Sequence, residues 1–307
     1  MTAALTVEKL TRVYPGGGGI RDVGFIAQER AVTAVIGPNG AGKTVLFSII
    51  AGLTRAESGV VEFRSPNTRV AYCPDVPQFE SWLTAREVVQ VSFAVSRGGD
   101  SGGRGANADR LSRGALEACG LGSVMDRRVA DFSRGMLQRL GIAAALVTDP
   151  EVLILDEPNS ALDPVGRADV RDIIAEQKRD RCVLLSSHML SEVEQLADNI
   201  VVIDQGRVVV QGSTESILTD GLEPVWRVRL GAPAPFSAAD LADVVPEARI
   251  VFETDTLCTL RFPSFEVAAT RLIVALGILR APILEVTLRD RDLDASFARI
   301  IQRTERS

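Results

Sequence analysis

The stretch AVTAVIGPNGAGKTVLFSIIAG, residues 31–52, decides the fold of this chain. An apolar strand leads into a glycine-rich loop, and the loop leads into an amphipathic helix. The loop has the spacing G-x-x-x-x-G-K-[ST] of a phosphate-binding loop in Gly37-Pro38-Asn39-Gly40-Ala41-Gly42-Lys43-Thr44. Glycines let backbone N–H groups close on phosphates at the start of a helix, where the helix dipole also favours negative charge. The stretch therefore predicts a nucleotide site in an α/β fold.

Lys43 and Thr44 carry the chemistry of this loop. Lys43, one of only three lysines in the chain, is placed to reach the β- and γ-phosphates, and the Thr44 hydroxyl is placed to ligate Mg²⁺. A glycine-rich turn with a solvated lysine is the alternative. The flanking strand and helix favour the phosphate site.

A second apolar strand ends in two carboxylates, in Val152-Leu153-Ile154-Leu155-Asp156-Glu157. Its apolar residues predict a central strand that delivers both acids to its carboxyl end, where open α/β sheets bind ligands. Asp156 is expected to hold Mg²⁺ through its water shell, and Glu157 to orient and deprotonate the attacking water. Taken alone, the segment also fits a surface turn before Pro158.

The order of elements predicts two domains. Strands alternate with helices from Val152 onward, which indicates a mainly parallel sheet covered on both faces. After Gly221 the order becomes β-α-β-β-α-β with a last helix at Leu293–Arg303, typical of a small α+β split-βαβ domain. We assign residues 1–220 to a nucleotide-binding domain, with a helical subdomain at about 76–148, and residues 221–307 to an accessory domain. The glycine-rich segment 97–107 is expected to be a mobile surface loop.

The composition argues against several function classes. A net charge of -6 and a pI near 5.1 disfavour nucleic acid as the main partner, because neutralising its phosphates requires clustered positive surface. The four cysteines are widely separated and lack CxxC spacing, which disfavours a zinc site or a disulfide framework and fits reduced thiols in the cytosol. The N-terminal segment lacks a signal-peptide pattern, and the apolar runs are shorter than a membrane span. We expect a chain that is soluble by itself.

Together with Gly37–Thr44 and Leu155–Asp163, the segment Ser133-Arg134-Gly135-Met136 resembles motifs of the ATP-binding cassette (ABC) family. The resemblance covers about residues 5–215. Its most specific part is Phe132–Arg139, which is similar to the family's LSGGQxQR signature. The resemblance implies a P-loop NTPase that hydrolyses ATP with Mg²⁺, and a signature that binds ATP held by the opposite subunit. The N–H groups and dipole of a helix N-terminus suit that contact, although Ser133 could also be an ordinary helix cap.

Other positions take their expected roles from this resemblance. Tyr14 falls where an aromatic side chain stacks on adenine, although it could be only a strand-end aromatic. Ser160–Asp163 matches the D-loop that couples two sites across a dimer, and His188 matches the switch histidine that contacts the γ-phosphate. Asp75 stands where the family has Gln or Glu, and is expected to offer a shorter oxygen ligand to Mg²⁺ or water. Val45 replaces a hydroxyl residue that contacts the α-phosphate.

The resemblance also implies partners. The Ser-x-Gly-Met form of Ser133–Met136 is similar to that of ABC-2 type exporters. Leu293–Phe297 is similar to a motif in the C-terminal extension of drug- and antibiotic-export cassettes, although Leu293 and Phe297 share a helix face that could simply pack within its own domain. Two cassettes, identical or homologous, would pack head to tail around two ATP molecules, beneath separate integral membrane permease subunits. The cassettes would lie at the cytoplasmic face of the plasma membrane. Residues Pro77–Val91 match the segment that receives a helix of the permease; Phe79, Trp82 and Leu83 could form its apolar seat.

A regulatory or assembly ATPase of the same family that transports nothing is the alternative. Members that act on ribosomes usually join two cassettes in one chain, and those that act on DNA ends carry long coiled coils. This sequence has one phosphate loop and no heptad repeat. A scaffold-type ATPase for cofactor assembly would not need the appended domain. The sequence therefore favours the exporter subunit.

Overall fold

The computed structural model describes residues 2–98, 106–160, 162–220 and 222–297. Its contacts divide the chain into two compact units, Met1–Ile217 and Leu218–Ser307. Each unit has a hydrophobic core of its own. The domain assignment at residues 220 and 221 stays a prediction of where the functional boundary lies.

The first unit contains strands and helices in alternation. Its described strands are β1 (Ala3–Val13), β2 (Gly19–Gln28), β3 (Val32–Ile36), β4 (Ser58–Phe63), β5 (Val70–Cys73), β6 (Val152–Leu155), β7 (Cys182–Ser187), β8 (Asn199–Asp204) and β9 (Arg207–Ser213). Its described helices are α1 (Lys43–Ile50), α2 (Ala85–Ser96), α3 (Ala106–Ala118), α4 (Arg134–Leu146), α5 (Pro164–Gln177) and α6 (Leu190–Leu196), with α7 (Thr214–Thr219) lying across the boundary.

Six of the described strands form one sheet in the order β5-β6-β7-β3-β8-β9. Neighbouring strands are parallel except at the edge, where β9 runs antiparallel to β8. Every residue of β3, β6 and β7 is buried, which explains why these strands are almost entirely apolar and central. The predicted, mainly parallel sheet is confirmed. A separate antiparallel sheet, β2-β1-β4, packs its buried residues into the same core.

Helices α2, α3 and α4 pack against one another within the segment predicted to be helical. α2 begins at a capping box in which the Thr84 hydroxyl accepts from the Glu87 N–H and the Glu87 carboxylate accepts from the Thr84 N–H. The predicted loop at 97–107 was too long at its end, because α3 already begins at Ala106. The rest of that prediction lies largely outside the described residues, at 99–105.

The second unit is a four-stranded antiparallel sheet with helices packed against it. Its described elements are β10 (Val225–Leu230), α8 (Ala238–Val244), β11 (Arg249–Thr254), β12 (Leu257–Arg261), α9 (Phe265–Ile278) and β13 (Ile283–Leu288). The strand order β11-β12-β10-β13 places β12 between β10 and β11, so the predicted split-βαβ arrangement is confirmed. The predicted last helix is described at 293–297, and the remainder lies outside the described residues.

Gly141 sets how closely α4 approaches the end of β5. A Cβ atom on Gly141 would lie 2.5 Å from Pro77 Cγ and 2.9 Å from Cys73 Sγ, whereas a Cβ on Gly114 in α3 would meet no atom within 4 Å.

No helix in the described part of the chain is long and apolar enough to cross a bilayer.

We predict opposite effects for two glycine-to-alanine substitutions in helices. Gly141→Ala should lower the free energy of unfolding by about 1–3 kcal/mol, because the added methyl group overpacks the contact with β5. Gly114→Ala should raise it by about 0.5–1 kcal/mol, because alanine has the better helix propensity and the site is open. Urea unfolding of both variants measures the effects; equal changes would contradict the packing at Gly141.

Candidate active site

The glycine-rich loop lies between β3 and α1, at the carboxyl ends of the parallel strands. Gly42 precedes α1 with a φ of 106°, and a Cβ there would lie 2.7 Å from the Gly19 carbonyl oxygen. A Cβ on Gly37 would lie 2.0 Å from the Ile203 carbonyl oxygen. No described side chain caps the start of α1. The loop therefore has the close packing and the uncapped helix start that a phosphate site requires.

Lys43 is the buried cation of this loop, with 6% of its surface exposed. Its Nζ donates to the carbonyl oxygen of Gly37 at 2.8 Å and to that of Pro38 at 3.4 Å. Glu157 Oε1 lies 3.2 Å from the same nitrogen. A buried ammonium needs such partners because desolvation is costly. The carboxylate is thus the counter-charge of the buried ammonium group.

Glu157 lies at the centre of the site. Its Oε2 lies 2.8 Å from His188 Nδ1, and its N–H donates to Ser186 Oγ at 2.7 Å. Its φ is 47°, a left-handed conformation that costs a non-glycine residue about 1–3 kcal/mol. The three residues predicted to be catalytic therefore lie together: Lys43 and His188 both contact the carboxylate of Glu157.

Asp156 is held by two residues whose roles the sequence did not predict. Ser186 Oγ donates to its Oδ1 at 2.6 Å and the Tyr72 hydroxyl donates to its Oδ2 at 3.1 Å. Burial, reinforced by the Asp156 charge and this hydrogen bond, raises the pKa of Tyr72 far above its usual range, so the phenol stays a donor. The only sequence signal for Ser186 is its position near the polar end of the apolar strand β7.

Thr44, Asp75 and Asp156 are the predicted Mg²⁺ ligands, and their hydroxyl and carboxylate oxygens fit that role. Asp156 accepts one hydrogen bond at each oxygen, and a carboxylate has about four lone-pair positions, so it can also accept from the water shell of a cation. The Thr44 side chain is exposed at the start of α1. Within the described residues no cluster of three His, Cys, Asp or Glu side chains could hold a metal by itself. The oxygen donors of the predicted ligands are of the kind that Mg²⁺ prefers.

Three other predicted residues lie apart from the Glu157 contacts. Ser160 Oγ donates to the Asp75 carboxylate, so Asp75 contacts the D-loop. Tyr14 follows β1 with 39% of its surface exposed, and the Arg12 guanidinium lies 5.1 Å from its ring centroid. Val45 is partly buried and packs on the core beneath α1.

The signature residues begin α4. Ser133 is the N-cap and its hydroxyl accepts from the Met136 N–H at 3.3 Å, while Arg134 and Gly135 form the first turn. Asp163 caps α5 in the same way, accepting from the Gly166 N–H at 2.9 Å. Among the described residues, no hydrogen bond or ion pair that we observe joins this helix start to Lys43, Glu157 or His188.

Comparisons with known proteins agree with this geometry. A model of the family described as "ABC transporter" matches residues 20–160. The chain is 33% identical to the daunorubicin/doxorubicin resistance ATP-binding protein DrrA of Streptomyces peucetius over 75% of its own length and 71% of that protein. It belongs to the ABC transporter family. It is an ATP-binding, ATP-hydrolysing subunit of an ABC transporter.

Two further comparisons extend this family assignment. The chain is 32% identical to the bacitracin transport ATP-binding protein BcrA of Bacillus licheniformis over 68% of its length and 69% of that protein. A solved ATP-binding subunit of an ABC transporter superposes with a TM-score of 0.60 at 28% identity, covering 70% of this chain and 91% of that one. The predicted P-loop NTPase fold is thereby confirmed. ATPase domains of the ABC family bind ATP.

We predict that Lys43→Ala weakens ATP binding to this ABC subunit at least about tenfold, because the loop loses the point charge that reaches the phosphates. Lys178→Ala is the matched control, since this lysine pairs with Asp198 on the surface. Isothermal calorimetry with ATP measures both affinities. Unchanged binding in Lys43→Ala would contradict the phosphate-loop assignment.

Proposed function

We propose that this subunit powers export of a small molecule or lipid-like substrate through separate ABC-2 type permease subunits. The relatives DrrA and BcrA support export, since their names describe drug resistance and bacitracin transport. The Ser-x-Gly-Met sequence of Ser133–Met136 points the same way. The convergence of Lys43 and His188 on Glu157 carries the proposal for how ATP is hydrolysed.

Lys43 is the residue that binding of ATP displaces first. Its ammonium transfers from Glu157 to the β- and γ-phosphates, which carry more charge than the single carboxylate. Glu157 is then free to accept a proton from a water aligned with the γ-phosphate, acting as the general base. The His188 imidazole, 2.8 Å from Glu157, donates to the γ-phosphate as charge develops there.

Thr44 and Asp156 hold Mg²⁺ in this proposal. A cation held by these residues would neutralise the negative charge that develops on the phosphates. Ser186 and Tyr72 fix both oxygens of Asp156, so the carboxylate keeps one orientation for the water shell of the cation. Tyr14 would stack on adenine with the face that Arg12 leaves open, and Asp75 would exchange its Ser160 contact for a water near the phosphates.

A second cassette would complete the site. The N-terminus of α4 and Asp163 present hydrogen-bonding groups on the surface, and the helix dipole favours an anionic ligand. In a head-to-tail dimer, Ser133–Met136 of one subunit would face the γ-phosphate on the other. Bound ATP would therefore hold the two subunits together, and its hydrolysis would let them separate.

A cavity of about 820 Å³ beside α2 and α4 is the proposed seat of a permease helix. Pro77 and Phe79 line it together with Val91 and Val95 of α2. Phe79 and Leu83 also line a neighbouring cavity of about 520 Å³, and Trp82 projects to the surface with 65% exposure. An apolar helix of an integral membrane partner fits this surface. The subunit would thus be peripheral at the cytoplasmic face of the plasma membrane, with residues 1–220 as the motor and 221–307 as an accessory domain.

We predict that Glu157→Gln binds ATP but retains under about a tenth of the wild-type turnover, because the general base is lost. It should accumulate as an ATP-bound dimer, since the substitution also removes a charge that repels the γ-phosphate. Steady-state ATPase assays and size-exclusion chromatography with ATP measure both effects. Glu176→Gln, on the exposed end of α5, is the matched control. A rate near wild type would exclude Glu157 as the base.

We predict that the chain copurifies with an integral membrane protein when it is isolated from native membranes in mild detergent. Replacing Phe79 and Leu83 by aspartate should abolish this association but leave ATP binding intact, because the cavities are separate from the phosphate loop. Mass spectrometry of the isolated complex identifies the partner. Isolation with ribosomal or other soluble proteins in place of a membrane protein would favour a regulatory or assembly ATPase.

A further inference from the structure

The segments that follow β6 and β7 are joined by a second side-chain contact besides His188–Glu157. Asn159 Nδ2 donates to Glu192 Oε2 at 2.6 Å. Asn159 lies two residues after Glu157, and Glu192 lies in α6, four residues after His188. Two side-chain hydrogen bonds therefore join the same two segments, one between Glu157 and His188 and one between Asn159 and Glu192.

This second contact is buried and charged. Asn159 is 7% exposed and the Glu192 side chain is 15% exposed. Arg167 Nε lies 3.7 Å from Glu192 Oε1 and donates to the Leu162 carbonyl oxygen at 3.0 Å. The carboxylate thus has the charged partner that burial demands, and that partner also holds the backbone of the loop after Asn159.

The position of this contact along the chain matters because of the strained backbone at Glu157. A left-handed non-glycine residue persists only where its surroundings fix the chain on both sides. Before the strained residue, Asp156 N–H donates to the Cys73 carbonyl oxygen at 2.9 Å. After it, Pro158 has no N–H to donate, and Asn159 is the first residue whose side chain makes a hydrogen bond.

We propose that Asn159 and Glu192 are positioning residues for ATP hydrolysis, whose hydrogen bond keeps the Glu157 carboxylate and the His188 imidazole within reach of one another. The proposal rests on the roles proposed above for Glu157 and His188. Neither Asn159 nor Glu192 touches the reacting atoms. Arg167 supports the pair by neutralising Glu192 and by binding the loop backbone.

Reversal of the hydrogen bond tests the proposal in the full-length chain. Asn159→Asp places two carboxylates against each other and should lower kcat for ATP at least about tenfold, since a misplacement of about 1 Å can cost up to ~10²-fold. The KM for ATP should stay within about twofold, because the phosphate loop is untouched. Adding Glu192→Gln restores a donor and an acceptor with their roles exchanged, and should return kcat to within about threefold of wild type.

Asn159→Ala removes the donor without adding charge, and should lower kcat in the same way if Asn159→Asp does not fold. Ser191→Ala, on an exposed position of the same helix, is the control and should match wild type. Thermal unfolding of every variant reports loss of structure. A purely structural role would lower the melting temperature without a selective fall in kcat, and would overturn the proposal.

Three further outcomes separate this inference from the function proposed above. An unchanged kcat in Asn159→Asp and Asn159→Ala, with Glu157→Gln inactive, would overturn the positioning role alone. Failure of the exchanged pair to recover any activity, at a normal melting temperature, would overturn it as well. An active Glu157→Gln would instead remove the catalytic pair that the positioning is meant to serve.

Discussion

The ion pair between Lys43 and Glu157 joins the two motifs on which the active site depends. Each residue ends or begins a different element: Lys43 starts α1 after β3, and Glu157 follows β6. β7 lies between these strands in the sheet and contributes Ser186, whose hydroxyl binds both Asp156 and the Glu157 backbone. The distance of 3.2 Å between Lys43 and Glu157 thus depends on how three parallel strands pack against one another. In the proposed function ATP breaks this pair, because the phosphates compete with the carboxylate for the ammonium group.

The elements of this site were predictable because their chemistry is local in the sequence. The loop Gly37–Thr44 needs glycines where its backbone approaches β2 and β8 closely, and the sequence motif has glycine at those positions. Asp156 and Glu157 follow an unbroken apolar strand, so burial alone places them at the sheet's carboxyl edge. The split-βαβ order of the second unit could also be predicted from the sequence, because turn residues separate its strands and helices clearly.

The contacts that hold the site could not be predicted, because they depend on strand register. Leu155 pairs with Leu185 and Cys73 pairs with Leu155, which brings Ser186 and Tyr72 to Asp156 across many residues of sequence. Nothing in the local sequence fixes that register. The contact between Asn159 and Glu192 could not be predicted for the same reason. It forms only because the sheet places α6 beside the loop after β6. Tyr14, Asp75 and the signature were placed by resemblance, and the roles proposed for them need ATP and a second subunit.

Crystal structures of the full-length chain, alone and with Mg²⁺ and a non-hydrolysable ATP analogue, test the central claim most directly. The account predicts that the nucleotide-free protein shows Lys43 Nζ close to Glu157, near the 3.2 Å found here. With the analogue bound, Lys43 should contact the β- and γ-phosphates, and Glu157 should face the γ-phosphate through a water. An analogue-bound structure in which Lys43 still contacts Glu157, with no contact to phosphate, would contradict the account.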